Sequence, residues 1–286
     1  MRRFISSIAF LATLAVVLFA AGCGQRFDRA PGNVPAPADL VADALAALGE
    51  AGSAHFVADV ETRGNEEPFS FSVHVEGDAS TSALDAQGSV SFGSFSVTGR
   101  VLADEHAFFV EFMNSWYGDE SEGIADAFAE AKEEHDGQVW EELATPEGLR
   151  RNFGQLFEGE VTEGPVLDGV ATWQFEGSFD ADGVIDFARR YDAEPSEQEA
   201  DEFRVVAEAS RFVLVVGQDD HLPRRLELSM ELPEEARQEL EEGFNGADNF
   251  RGTLELSEFG KPVEIEAPGD FKPFDQLFED LFGSFE

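Results

Sequence analysis

The segment Phe69-Ser70-Phe71-Ser72-Val73-His74-Val75-Glu76 alternates apolar and polar residues without a break. Successive side chains of a strand point to opposite faces, so this pattern reads as an antiparallel strand with one dry face and one wet face. Phe69, Phe71, Val73 and Val75 share the dry side; Ser70, Ser72, His74 and Glu76 share the other. Upstream, Ala54, Phe56, Ala58 and Val60 alternate with His55, Asp59 and Glu61. Downstream, Val90-Ser91-Phe92 and Phe95-Ser96-Val97 flank Gly93-Ser94, a glycine-first pair suited to a type II′ hairpin turn. Phe108, Val110 and Phe112 continue the period. The first half is therefore expected to be a meander of about five strands with most of its aromatics on one face.

Helices flank and interrupt this sheet. Val41, Ala44, Leu45 and Leu48 recur at helical spacing over Ala38–Gly49, and Gly49 stands near the helix end. Residues 122–134 read as an acidic helix with a thin apolar stripe, and Pro146 opens another carrying Leu149, Phe153, Leu156 and Phe157. Strand character returns at 160–166 and 170–179, where Ala171, Trp173 and Phe175 alternate with polar neighbours. Helices are expected over 182–191 and 196–208, then a strand at Phe212–Val216 that is apolar on both faces. After a turn at 218–221, Leu222, Leu226, Leu228 and Met230 form a dry face; 233–244 reads as a short charged helix, and Phe250, Leu254 and Leu256 close the sheet. About ten strands and six helices in one domain make an α+β class: a strongly curved antiparallel sheet with helices laid across it.

The amino terminus has another character. Arg2 and Arg3 precede an apolar run from Phe4 to Ala21, followed by Ala20-Ala21-Gly22-Cys23. A basic start, an apolar core and small residues before a cut form a secretory signal peptide over 1–22. A cysteine directly after the cut points to lipidation of its thiol; ordinary cleavage leaving one spare thiol is the alternative. Residues 23–38 then form the acylated Cys23 and a flexible tether containing Pro31, Gly32, Pro35 and Pro37. The chain has one cysteine, so no internal disulfide is available and the core must hold the fold. Two acyl chains on Cys23 would suffice for stable attachment to the outer face of the cell membrane, as part of the cell envelope.

Composition narrows the partners. The net charge is −40, and removal of Arg2 and Arg3 makes the mature chain two units more negative. Such a surface repels nucleic acid and anionic headgroups. Lysine is nearly absent, at positions 132, 261 and 272, and excess acid with scarce lysine suits a salty medium that screens self-repulsion. Phenylalanine is abundant, 28 residues against 2 Tyr and 3 Trp, which supplies large apolar area with no polar group to satisfy. Two destinations fit that excess, a solid Phe-rich core or a Phe-lined ligand cavity.

Catalytic signals are thin. His55, His74, His106, His135 and His221 are scattered without a helical metal spacing, and no nucleophile elbow, phosphate loop or dinucleotide fingerprint occurs. Asp180-Ala181-Asp182-Gly183 has part of a calcium-loop pattern but lacks the distal glutamate. The pairs Arg150-Arg151, Arg189-Arg190 and Arg224-Arg225 suit either a lipid phosphate or ion pairing with neighbours. Over 271–286, Phe271, Phe274, Phe278, Leu281 and Phe285 recur at spacings of three or four among acids, so an amphipathic helix is expected, docked on the domain or serving as a plug or partner segment.

Leu222-Pro-Arg-Arg-Leu-Glu-Leu228 resembles the hairpin of LolA-like lipoprotein and lipid carriers, and Leu254-Glu-Leu-Ser-Glu-Phe-Gly-Lys-Pro-Val-Glu-Ile-Glu-Ala-Pro268 resembles the closing strand and tail of the LppX/LprG lipoproteins of actinobacteria. The resemblance implies a half-barrel over 39–270, with helices across the concave face and a large apolar cavity for a lipid or lipidated molecule. Binding without chemistry is expected, and, from the scattered histidines, no cofactor and no metal. The expected lining is Phe69, Phe71, Val73 and Val75; Phe92, Phe95 and Val97; Phe108, Val110 and Phe112; Trp173 and Phe175; Leu226 and Leu228. Expected partners are the lipid ligand and, through Cys23, the membrane; no nucleic acid is expected, and the chain is expected to be a monomer. The other class kept open is a lipid-free interaction or sensory lipoprotein that binds a protein through its concave face or C-terminal helix.

Overall fold

The computed structural model describes residues 34–63, 70–119, 145–190, 196–232, 249–274 and 276–277. The expected helices at 122–134 and 233–244, together with Cys23, the signal peptide and Phe69, lie outside them. Helix α1 (Pro37–Ala51) begins with proline in its first turn and ends at Gly52, whose φ of 73° lets its N–H return to the Leu48 carbonyl. Strands β1 (Ser53–Arg63), β2 (Ser70–Ser80), β3 (Leu84–Phe92), β4 (Phe95–Ala103), β5 (Phe108–Phe112) and β6 (Ser115–Asp119) follow as a meander. Helix α2 (Pro146–Leu156) leads directly into β7 (Phe157–Glu163) and β8 (Thr172–Phe179). Helices α3 (Ala181–Arg189) and α4 (Glu197–Ala209) precede β9 (Ser210–Gly217), β10 (Pro223–Glu231), β11 (Asn249–Ser257) and the short β12 (Lys272–Pro273).

All twelve strands form one unclosed sheet in the order β12-β6-β5-β4-β3-β2-β1-β11-β10-β9-β8-β7. Neighbours are antiparallel except β12, which lies parallel to β6. Two meanders, β1–β6 and β7–β10, are thus joined by β11, which pairs with β1 on one side and β10 on the other. The fold is α+β, a curved half-barrel of twelve strands where about ten were expected. One added strand is β6, hidden in the sequence because its turn, Met113-Asn114, carries no glycine; both residues adopt positive φ, 48° and 62°. At Gly93-Ser94 only the glycine has positive φ, 57°, as a type II′ turn requires.

Curvature has a sequence basis in glycines that allow close approach. A Cβ on Gly88 would sit 2.5 Å from the His74 carbonyl oxygen, so any side chain there would push β2 and β3 apart. In the other arm Gly177 pairs with Gly159, and the Phe175 ring folds over the pair, 2.8 Å from where a Gly177 Cβ would be.

Helices cover the sheet unevenly. Leu40 and Ala44 of α1 and Phe153 of α2 pack on Trp173, Phe175, Phe212 and Val216 of β8 and β9. Five rings interlock there: Phe153, Phe157, Phe175, Phe179 and Phe212, with centroid separations of 4.9–5.7 Å. Farther along α1, Leu48 meets Ala54, Ala79 and Leu256. Val205, Val206 and Ala209 of α4 pack on Met230 and Leu232. Among the described residues no helix is long and apolar enough to cross a membrane.

The carboxyl-terminal segment departs from the expected helix at its start. Lys272–Pro273 are extended and pair with Tyr117–Gly118, because proline disfavours a helical residue before it. The Phe271 ring lies 5.0 Å from Phe109 and the Phe274 ring 5.9 Å from Phe108. Phe108 and Phe109 point to opposite faces of β5, so the chain wraps round the free edge of β6. Residues 278–286 lie outside the described part.

Candidate ligand face

Directly opposite residues of antiparallel strands share a face, so the register traces one surface across the sheet. One row runs Leu228, Gly252, Val60, Val73, Val90, Val97 from β10 to β4. The next runs Leu226, Leu254, Ala58, Val75, Gly88, Gly99, Phe112 from β10 to β5. A third runs Phe56, Gly77, Ala86, Val101, Val110, Tyr117 from β1 to β6. Phe71, Phe92 and Phe95 lie at one end of this surface, and Phe108 two residues from Val110 at the other. Phe175 and Trp173 join it through Leu214 and Val216. Every expected lining residue that is described thus stands on the same face.

They do not stand in the same environment. Phe175 is 0% exposed and Trp173 8%, closed over by α1 and α2 and packed into the ring cluster. These two, expected to line a cavity, are core residues: that arm of the half-barrel is filled by side chains. Phe71 is also buried, stacked 4.9 Å from Phe92. By contrast Val60, Val73, Val75, Val90, Val97, Val101, Val110, Phe112, Leu226, Leu228 and Leu254 are only half-buried. The open part of the apolar face therefore spans β10, β11 and β1–β5. Its middle is a trough, because Gly77, Ala86, Gly88 and Gly99 carry little or no side chain while valines stand on either side.

One polar atom interrupts this surface. Thr62 is buried between Phe71 and Phe250, and its Oγ1 has no hydrogen-bond partner. A buried hydroxyl without a partner is costly and calls for an explanation. Nothing in local spacing marks it, because threonine on a strand is ordinary.

The opposite face is polar and internally paired over β1–β4, apart from a buried apolar patch where Leu102 faces Phe109 of β5 under the Phe271 ring. His55 Nδ1 lies 3.0 Å from Asp78 Oδ1 and His74 Nδ1 2.8 Å from Asp59 Oδ1, each a cross-strand pair. Arg100 donates twice to Asp85, at 2.8 and 2.6 Å, and these hydrogen bonds raise its pKa against a smaller desolvation effect. A concavity of about 520 Å³ on this side is lined by His74, Glu76, Gln87, Thr98, Arg100 and Glu111 among others. Its charged, hydrogen-bonded walls suit water and are wrong for an acyl chain.

The remaining sequence signals resolve as structure. Asp180 Oδ1 accepts from the Gly183 N–H at 2.8 Å, so Asp180 caps α3. Arg150 bridges to Asp43 and Asp39 and ties α2 to α1. Arg189 pairs with Asp186, Arg190 donates to Gln155, Arg224 pairs with Asp220, and Arg225 pairs with Glu255. Among the described residues no cluster of three His, Cys, Asp or Glu is placed to hold a metal ion.

No protein-family model matches the chain, and no curated protein matches it in sequence. Among solved structures it is similar to the lipoprotein LppX of Mycobacterium tuberculosis, at 15% identity and a TM-score of 0.41, with 81% of this chain and 100% of that one covered. It is also similar to LprF from Mycobacterium bovis, at 14% identity and a TM-score of 0.41, covering 83% and 100%. A DUF1329 family protein from Desulfovibrio piger is a more distant likeness, at 7% identity and a TM-score of 0.26, covering 82% and 96%. These are loose likenesses of overall fold, and none assigns a role to a residue of this chain.

Proposed function

We propose that the protein is a lipoprotein carrier that holds a lipid or lipidated molecule against its open apolar face, by burial and without chemistry. One observation carries the reading: a continuous apolar surface over β10, β11 and β1–β5 is left half-exposed, while the same surface over β7–β9 is packed solid. Large apolar surfaces left uncovered on a folded domain mark binding sites. An acyl chain laid in the Gly88–Gly99 trough would bury against Val75, Val90, Val97 and Phe112, and a ligand hydroxyl or ester carbonyl would give Thr62 its missing partner. Signal cleavage and acylation of Cys23 would hold the carrier at the outer face of the membrane.

Titration with a fluorescent fatty-acyl probe tests this. Val97→Asp and Val110→Asp should each weaken probe binding by at least about tenfold, since a buried carboxylate is strongly disfavoured beside hydrocarbon. Both positions are half-buried, so folding should survive; Phe71→Asp is a poorer choice because Phe71 is 4% exposed. Equal binding by folded variants would remove the face from the ligand site.

A further inference from the structure

Two neighbouring stretches of a very acidic molecule carry no charge. The net charge is −40, yet residues 86–99 contain no charged side chain, and neither do residues 112–118. Both stretches are hairpin tips at the same end of the sheet, side by side, because β4 pairs with β5 from Gly99↔Phe112 onward. The tips carry exposed apolar groups: Phe92 is 50% exposed, Phe95 58% and Met113 70%. Phe95 stands four residues beyond Gly99, so the β3–β4 finger projects on the order of 13 Å past the shorter β5–β6 tip. Asp85, Arg100, Glu111 and Asp119 bound the uncharged zone.

We propose that this corner is a membrane-docking lip, inserted by Phe92, Phe95 and Met113 into the interface of an uncharged bilayer. A protein partner needs roughly 800 Å² of matched surface on each side, whereas this tip offers three protruding apolar side chains. A bilayer needs only apolar side chains and no charge opposed to its own. The lip is continuous with the apolar face: Phe92 pairs with Phe95 across the turn and stacks on Phe71, the end of that surface. Resting on the carrier reading, the lip is the path by which an acyl chain leaves the bilayer for the trough without crossing water.

The test places a reporter at each end of the sheet in the full chain. Phe95→Trp is compared with Val166→Trp, which is 68% exposed on the β7–β8 connection at the far end. On vesicles of dibrominated phosphatidylcholine, Phe95→Trp emission should be quenched relative to the parent chain and Val166→Trp emission should not. Quenching should weaken on phosphatidylglycerol vesicles at low salt, where the net charge is repelled, and recover as salt screens it. Met113→Ser, 70% exposed in the β5–β6 turn and outside the ligand face, should take up lipid from vesicles about fivefold more slowly, from the apolar area lost at the lip, while its uptake from detergent micelles is unchanged. Equal quenching of the two tryptophans, or protection of the tip only when a second protein is added, overturns the lip. Quenching at Phe95→Trp without any lipid uptake keeps the lip and removes the carrier function; uptake without quenching does the reverse.

Discussion

Phe175→Ala should be among the most destabilising single changes in the molecule. The ring is 0% exposed, lies 5.4 Å from Phe153 and 5.2 Å from Phe212, and covers the Gly159–Gly177 pair. Truncating a fully buried phenylalanine costs roughly 3–5 kcal/mol, the transfer term plus the cavity left behind. Two ring contacts and two side-chain-free glycines beneath it leave little to collapse into the gap, so about 4 kcal/mol is expected. Phe112→Ala on the open part of the same face removes a half-buried ring, worth about 1.5 kcal/mol, half of a full transfer. Urea unfolding of ligand-free protein, followed by tryptophan emission, reads both. With a slope near 3 kcal/mol per molar, the midpoint should fall by about 1.3 M for Phe175→Ala and about 0.5 M for Phe112→Ala. Equal losses at the two positions would refute the division into a packed arm and an open arm.

Thr62→Val should leave ligand-free stability unchanged or raise it by about 1 kcal/mol, because the partnerless hydroxyl is removed, while affinity for an ester-bearing lipid falls; calorimetric melting with and without lipid separates the two effects. Gly88→Val should prevent the sheet from forming as described, since its Cβ would meet the His74 carbonyl at 2.5 Å; loss of the far-ultraviolet strand signal is the readout. The melting temperature should rise with sodium chloride as the net −40 is screened, and a salt-independent melt would contradict the reading of the charge as an adaptation to salt.

The wet/dry alternation of 69–76 and 54–60 was sufficient to place the meander, its dry face and the antiparallel class, because period two has one physical meaning wherever a sheet has a covered side. It also put Phe92, Phe95, Val97, Val110 and Phe112 on one and the same face of the sheet. What alternation does not encode is how much of that surface the helices cover. Trp173 and Phe175 show the same pattern as Val97 and Val110, and only the docking of Leu40, Ala44 and Phe153 separates core from open face. Strand β6 is hidden in local spacing because Met113 and Asn114 make a positive-φ turn without glycine. The helix expected from Phe271 gave way to an edge strand because the free edge of β6 offers Lys272–Pro273 a partner, a tertiary opportunity invisible in local spacing. Thr62, likewise, acquires meaning only from what surrounds it.

The most direct test of the carrier reading is native mass spectrometry of the protein isolated from its own host, followed by organic extraction. The account predicts stoichiometric lipid, released on denaturation and absent from the Val97→Asp variant. Protein that arrives bare, and takes up no fluorescent acyl probe across its folded lifetime, would contradict it and leave the apolar face to a protein partner.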